Sequence, residues 1–252
     1  MDERERIERR LRELSARAER TGHFTFSSFL GAAEQDVFHR TVGRELRAGT
    51  VSAFGGVAGC ERVMLRFGDS EELGYEEPFP IVCLHASPVA QKFADALTHR
   101  NFLGALMHLG IEREMLGDIV LRENTAYIFV HERIADYIEG ELSRVKHTEL
   151  HITRTEQLPE GALYRTEERV VQAEGERLDG VIAKLYRISR SDALALFQKE
   201  LVFTDGRRCE SPSRTVAEGT VVSVRGYGRF IYRGVRSDTR KGKHNIVVEI
   251  YV

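Results

Sequence analysis

The residues best suited to chemistry in this chain are cations, and they gather toward its end. Arg177 and Lys184 lie seven residues apart on a segment of helical period, so they project from nearly one face. Arg187 sits at the following turn, and Ser189 and Arg190 open the next helix. Serine at a helix start leaves backbone N–H groups nearby, and the positive end of the helix favours an anion. Arg207 and Arg208 continue the charge past a turn. The run SVRGYGRFIYRGVRSDTRKGK then interleaves Arg225, Arg229, Arg233, Arg236, Arg240, Lys241 and Lys243 with Tyr227, Phe230 and Tyr232. Guanidinium and ammonium groups neutralise phosphates, and flat rings stack on exposed bases. The competing explanation is a solvated basic hairpin whose aromatics belong to a core; the combined pattern favours contact with nucleic acid.

Other chemistry finds little support. No GxSxG elbow, GxxxxGK[ST] loop or complete GxGxxG fingerprint occurs; Gly226-Tyr-Gly228 reads as a strand bend. His147, Glu149 and His151 alternate along one expected strand, but no fourth ligand accompanies them. His131-Glu-Arg133 reads as a helix opening, and His99, Arg100 and His108 flank an apolar helix. The expectation is therefore a protein without catalytic residues, metal or cofactor.

These residues need elements to position them. Ile7, Leu11, Leu14 and Ala18 recur at helical spacing, which predicts a helix over 2–20 stopped by Gly22. A second helix is expected over 32–47, followed by a glycine cluster at 55, 56 and 59. Strands are expected over 63–67, 79–85, 118–121, 125–130 and 146–153, with helical turns over 89–99, 102–109 and 132–142. Strands interleaved with two helical regions point to an α+β layer of ferredoxin type. Pro159-Glu-Gly161 breaks the pattern. Beyond it, helices are expected over 177–186 and from Ser189, then strands over 221–225, 229–232 and 245–252.

Composition agrees with a folded chain. Of 252 residues, 42% are hydrophobic and 30% charged, enough apolar content for a core. No apolar run reaches the roughly 20 residues of a membrane span, and the charged start has no secretory h-region. Cys60, Cys83 and Cys209 are far apart and odd in number, which argues for a reduced, cytoplasmic protein. The net charge of −2 hides a division: residues 177–252 hold 15 Lys+Arg against 8 Asp+Glu, and residues 1–176 hold 22 against 31. A basic end of +7 on an acidic body of −9 suits a polyanion partner.

At this point the motifs become specific. RLDGVIAKLYRISRSDALALFQKELVFTDGRRCESPSRTVAEGTVVSVRGYGRF resembles the RNA-binding domain named after ribosomal small-subunit protein S-four, with RLD opening one helix and SRSxA the next. The sequence departs from that family at Glu200, where glycine is usual. The resemblance implies that Arg177, Ser189, Arg190 and Lys199 face RNA. HFTFSSFLGAAEQDVF, FGGVAGCERVMLRFG and HRNFLGALMHLGIEREMLGDIV, with AYIFV and IADYI, resemble the YlmH family of bacterial RNA-binding proteins over nearly the whole chain.

That resemblance implies an N-terminal helical domain (1–58), an RRM-like α+β domain (59–158) and an S-four-type αL domain (175–252). It implies association with the large ribosomal subunit, with ribosomal RNA and tRNA as partners, in translation quality control or rescue of stalled ribosomes. Strand 63–67 lacks the aromatic-rich pattern with which RRM domains stack bases, so the middle domain is expected to position or contact protein instead. Two other functions remain open: an accessory to RNA modification of pseudouridine-synthase type, and an adaptor linked to cell division.

Overall fold

Residues 2–158, 163–240 and 242–251 are described by a computed structural model, a mixed helix-and-sheet fold. Pro159–Gly161 and Lys241, both singled out in the sequence, lie outside these residues. The chain divides into two units, residues 1–163 and 164–252.

The first unit begins with α1 (Glu3–Thr21). Asp2 and Glu5 form a capping box at its start, and Gly22 ends it in the left-handed region, φ 63°, with its N–H on the Ala18 carbonyl. A side chain would be strained there, so the stop signal has a conformational cause. Next come β1 (Thr25–Phe26), α2 (Ala32–Arg40), α3 (Val42–Glu45), β2 (Val51–Phe54), β3 (Met64–Phe67) and α4 (Ser70–Leu73). The single helix expected over 32–47 breaks at Thr41, whose φ and ψ of −117° and −101° are not helical. Strands β1, β3 and β2 form a sheet in that order. Leu11, Ala18, Leu30, Phe38, Val42, Leu65 and Phe67 make the core of this part. The N-terminal part therefore includes a sheet, and β3 closes it from beyond the expected boundary at residue 58.

The middle part runs β4 (Ile81–Pro88), α5 (His99–His108), β5 (Leu116–Arg122), β6 (Thr125–His131), α6 (Ala135–Glu141), β7 (Arg144–Val145) and β8 (Thr148–Arg154). The spatial order is β5-β6-β4-β8-β7, and every neighbouring pair is antiparallel. Helices α5 and α6 share a core with Leu84, Ala86, Ile128, Val130, Leu150 and Ile152 on one sheet face. The helical turns expected over 89–99 reduce to one 3₁₀ turn at 91–93; the helix begins only at His99, where Thr98 and Asn101 form a capping box. His147 falls in the turn before β8, so of the three residues expected to alternate along one strand only Glu149 and His151 share a strand face.

The second unit begins with β9 (Thr166–Ala173), which pairs along its length with the last strand. It precedes the expected start at residue 175. Its sequence, TEERVVQA, is charged and alternates poorly because only Val171 and Ala173 enter the core. Then follow α7 (Leu178–Tyr186), α8 (Arg190–Gln198), β10 (Val202–Thr204), β11 (Arg207–Arg208), β12 (Val221–Val224), β13 (Gly228–Asp238) and β14 (His244–Tyr251). The sheet order is β11-β10-β12-β13-β14-β9. Leu178, Val181 and Ile182 of α7 pack with Ala193, Leu196 and Phe197 of α8 against Val202, Val222, Val224, Phe230, Tyr232, Ile246 and Val248.

Candidate nucleic-acid interface

The start of α7 is built unusually. Arg177 occupies the N-cap with no side-chain cap bond. The orphan donors of the first turn go to the 211–214 loop instead: the Leu178 N–H donates to the Arg214 carbonyl (2.9 Å) and the Asp179 N–H to that of Pro212 (3.0 Å). This leaves the Asp179 carboxylate free to act elsewhere. Its side chain is wholly buried. It accepts Arg177 Nε and Nη2, both at 3.1 Å, Arg190 Nε at 3.3 Å and the Gly180 N–H at 2.9 Å. The sequence pattern placed Arg177 and Arg190 on neighbouring helices, and the structure brings them onto one carboxylate.

The electrostatics follow from that arrangement. Burial pushes the Asp179 carboxyl up, but the Arg177 hydrogen bonds, the Arg190 charge and the Gly180 N–H outweigh it and hold it below its ordinary value. The Arg177 guanidinium is raised by the same hydrogen bonds, against a smaller effect of burial. One negative charge thus orients two positive ones whose side chains stay about half exposed, at 49% and 54%. The pair presents a net positive charge with outward donors, as a phosphate requires. Asp179 was not among the expected site residues; its signal is the third letter of the RLD motif.

The remaining residues divide. Ser189 caps α8, its Oγ accepting the Asp192 N–H at 3.0 Å and donating to the Asp192 carboxylate at 2.6 Å. The start of α8 therefore already carries a carboxylate, which reduces the anion-attracting role expected of it. Lys184, Arg187, Lys199 and Arg207 are exposed and have no ion-pair partner among the described residues. Arg187 ends α7 in the left-handed region at φ 54°. Arg208 differs from expectation. Its side chain is only 14% exposed and is paired with Glu200 and Glu210, so its charge is neutralised within the fold. Glu200 itself adopts φ 57°, the conformation that glycine takes without cost at this point.

The sheet separates the other cations from this pair. Phe203, Ser223 and Arg229 are register partners across β10, β12 and β13, so they share the face opposite α7 and α8. There Arg229 stacks over Tyr251 (4.3 Å) and Tyr164 (5.1 Å), and Arg225 lies over Phe203 (5.4 Å). Arg233 and Arg236 pair with Glu249 and Glu168. Of the interleaved aromatics, Phe230 and Tyr232 are core residues, because the period of two turns them toward the helices. Tyr227 alone is exposed, at the hairpin tip, where it packs against Tyr186 of α7 with centroids 5.2 Å apart. Burial pushes the Tyr186 hydroxyl well up.

No helix among the described residues is long and apolar enough to cross a membrane. Residues 76–158 match the family model described as "Putative RNA-binding domain in YlmH". The chain is 30% identical over 164 residues to ribosome-associated protein quality control protein P2 of Bacillus subtilis (strain 168). That match covers 64% of this chain and 62% of the relative's length. Among solved structures, the cell division protein ylmH from Streptococcus pneumoniae matches with a TM-score of 0.48 and 19% identity, over 62% of this chain and 92% of that one. The chain is thus similar to YlmH proteins, and the similarity includes residues 76–158, which match the model of the putative RNA-binding domain in YlmH.

Proposed function

We propose that this protein is a non-enzymatic RNA-binding factor of the ribosome, docking on large-subunit ribosomal RNA and tRNA in translation quality control. The observation that carries the reading is the Asp179 carboxylate holding Arg177 and Arg190 side by side at the starts of two helices. Support also comes from the name of the Bacillus subtilis relative and from the family match of residues 76–158. Apart from the short edge strand β7, residues 81–154 follow a β-α-β-β-α-β succession with its first and third strands in the interior, which supports a ferredoxin or RRM-like reading of the middle module. The two helices and small sheet after Arg177 support an S-four-type reading of the second unit. Phosphate contacts position such a factor, and RNA shape supplies its selectivity.

The test is sedimentation of the tagged chain with bacterial lysate through a sucrose gradient at two salt concentrations. Comigration with the large subunit is expected for the wild type. The Arg177→Ala, Arg190→Ala double variant should shift to the top under conditions where circular dichroism shows it folded, although its unfolding midpoint falls because the buried Asp179 carboxylate loses both cationic partners. Two lost phosphate contacts should also flatten the logarithmic salt dependence of binding to purified ribosomal RNA by roughly 1–2 units. Wild-type comigration that the double variant retains would remove these arginines from the interface.

A further inference from the structure

Alternation along the middle sheet sets a second set of side chains against the face that α5 and α6 leave uncovered. Leu84, Ala86, Ile128, Val130, Leu150 and Ile152 point to the helices. Cys83, His85 and Ser87 of β4, Thr125, Tyr127 and Phe129 of β6, and His151 and Thr153 of β8 must therefore share the other face. The registers agree: Cys83 faces Phe129, His85 faces both Tyr127 and Thr153, and Ser87 faces His151. The aromatic residues lie on β4 and β6, two adjacent interior strands of this sheet; the strand at 63–67, whose composition argued against base stacking, belongs to the N-terminal sheet.

The two ends of this face differ. At one end Phe129 is sealed beneath the N-terminal part: it is 1% exposed, and a Cβ at Gly56 would come within 2.3 Å of its ring. At the other end His85, Tyr127, Ser87 and Thr153 keep partial exposure and His151 is open to solvent. There the His85 and Tyr127 rings lie against each other, centroids 4.9 Å apart and planes at 34°. We propose that this exposed end, centred on Tyr127 and His85, is a stacking site for an unpaired base of single-stranded RNA.

The chemistry favours that occupant. A base offers a flat π-face to the ring pair, and its polar edge needs the donors and acceptors that Ser87, Thr153 and His151 supply. Burial lowers the His85 imidazole, which favours its neutral form beside the phenol. The site also lies inside residues 76–158, the segment that matches an RNA-binding domain. The inference rests on the reading of the chain as an RNA binder, but it places a second contact in the first unit, whereas Arg177 and Arg190 belong to the second.

The chain contains no tryptophan, so Tyr127→Trp introduces a lone fluorophore into the site. Titration of the full chain with an unstructured oligoribonucleotide should quench it saturably, whereas Tyr137→Trp on exposed α6 should not respond. By anisotropy, Tyr127→Ala should bind the same oligonucleotide roughly tenfold more weakly and Tyr127→Phe within about twofold of wild type. Equal affinity of Tyr127→Ala and wild type, or a silent Tyr127→Trp fluorophore at saturating RNA, would overturn the assignment. If structured RNA still binds through Arg177 and Arg190 in that case, the proposed function stands and only this site falls. Failure of the wild type to bind either RNA would remove both.

Discussion

Replacing Asp179 by Ala should destabilise the second unit by about 2–3 kcal/mol and weaken RNA binding at the same time. The stability effect comes from leaving two guanidiniums without their shared buried acceptor; breaking a fully buried pair costs roughly 3–5 kcal/mol. Because Arg177 and Arg190 are about half exposed, water recovers part of that loss, hence the lower figure. The Gly180 N–H is not orphaned, since it also donates to the Arg177 carbonyl at 3.0 Å. The affinity effect comes from orientation. Without the carboxylate the two arginines lose their common anchor and must be ordered when RNA binds, an entropic cost of about 1 kcal/mol per long side chain. Urea denaturation followed by anisotropy with a structured ribosomal RNA fragment reads both effects. An Asp179→Ala variant with wild-type midpoint and wild-type affinity would show that the carboxylate organises nothing.

The same residue sets a pH dependence. The Asp179 carboxyl lies below its ordinary value in the folded chain, because burial, which raises it, is outweighed by Arg177, Arg190 and the Gly180 N–H. Its contribution is complete above the unfolded pKa of roughly 4 and is lost as the pH falls through the lower folded value. The unfolding midpoint of the wild type should therefore drop below about pH 4 more steeply than that of Asp179→Asn, which has no proton to gain at this position.

The sequence was most legible where local chemistry decides the outcome. The glycine after α1 and the serine before α8 each satisfy backbone donors or acceptors within a few residues, so spacing alone locates them. Arg177 and Arg190 were legible for the same reason, as residues at helix starts. What spacing could not convey was pairing across distance. β3 was read as part of the middle layer because nothing in MLRF says which strands it pairs with; β1 and β2 claim it. β9 escaped because its outward residues are charged and its pairing with β14 supplies order that its apolar content does not. The basic hairpin misled for a related reason. Cations every three or four residues look like one stripe in sequence, but in a strand their faces differ. Arg208, Arg233 and Arg236 are taken up by carboxylates of other segments.

Replacing Gly56 by Ala should cost the first unit about 3 kcal/mol, whereas the same change at Gly104 should be neutral or stabilise by roughly 0.5–1 kcal/mol. Both are glycine-to-alanine substitutions, and the difference lies in backbone and space. Gly56 has φ 106°, a conformation that an L side chain rarely adopts, and its Cβ would meet the Phe129 ring at 2.3 Å. Phe129 has no open side to retreat into, since it is buried. Gly104 lies inside α5 with nothing within 4 Å, so alanine there only reduces the freedom of the unfolded chain. Thermal unfolding of the two variants should move the midpoint in opposite directions. The seat of Phe129 also has a functional consequence, since Phe129 and Tyr127 are successive residues on the same face of β6. If Gly56→Ala shifts that strand, quenching of the Tyr127→Trp fluorophore by single-stranded RNA should weaken along with stability, and Gly104→Ala should leave it unchanged. A Gly56→Ala chain as stable as wild type would mean that the N-terminal part does not close over Phe129 as the packing requires.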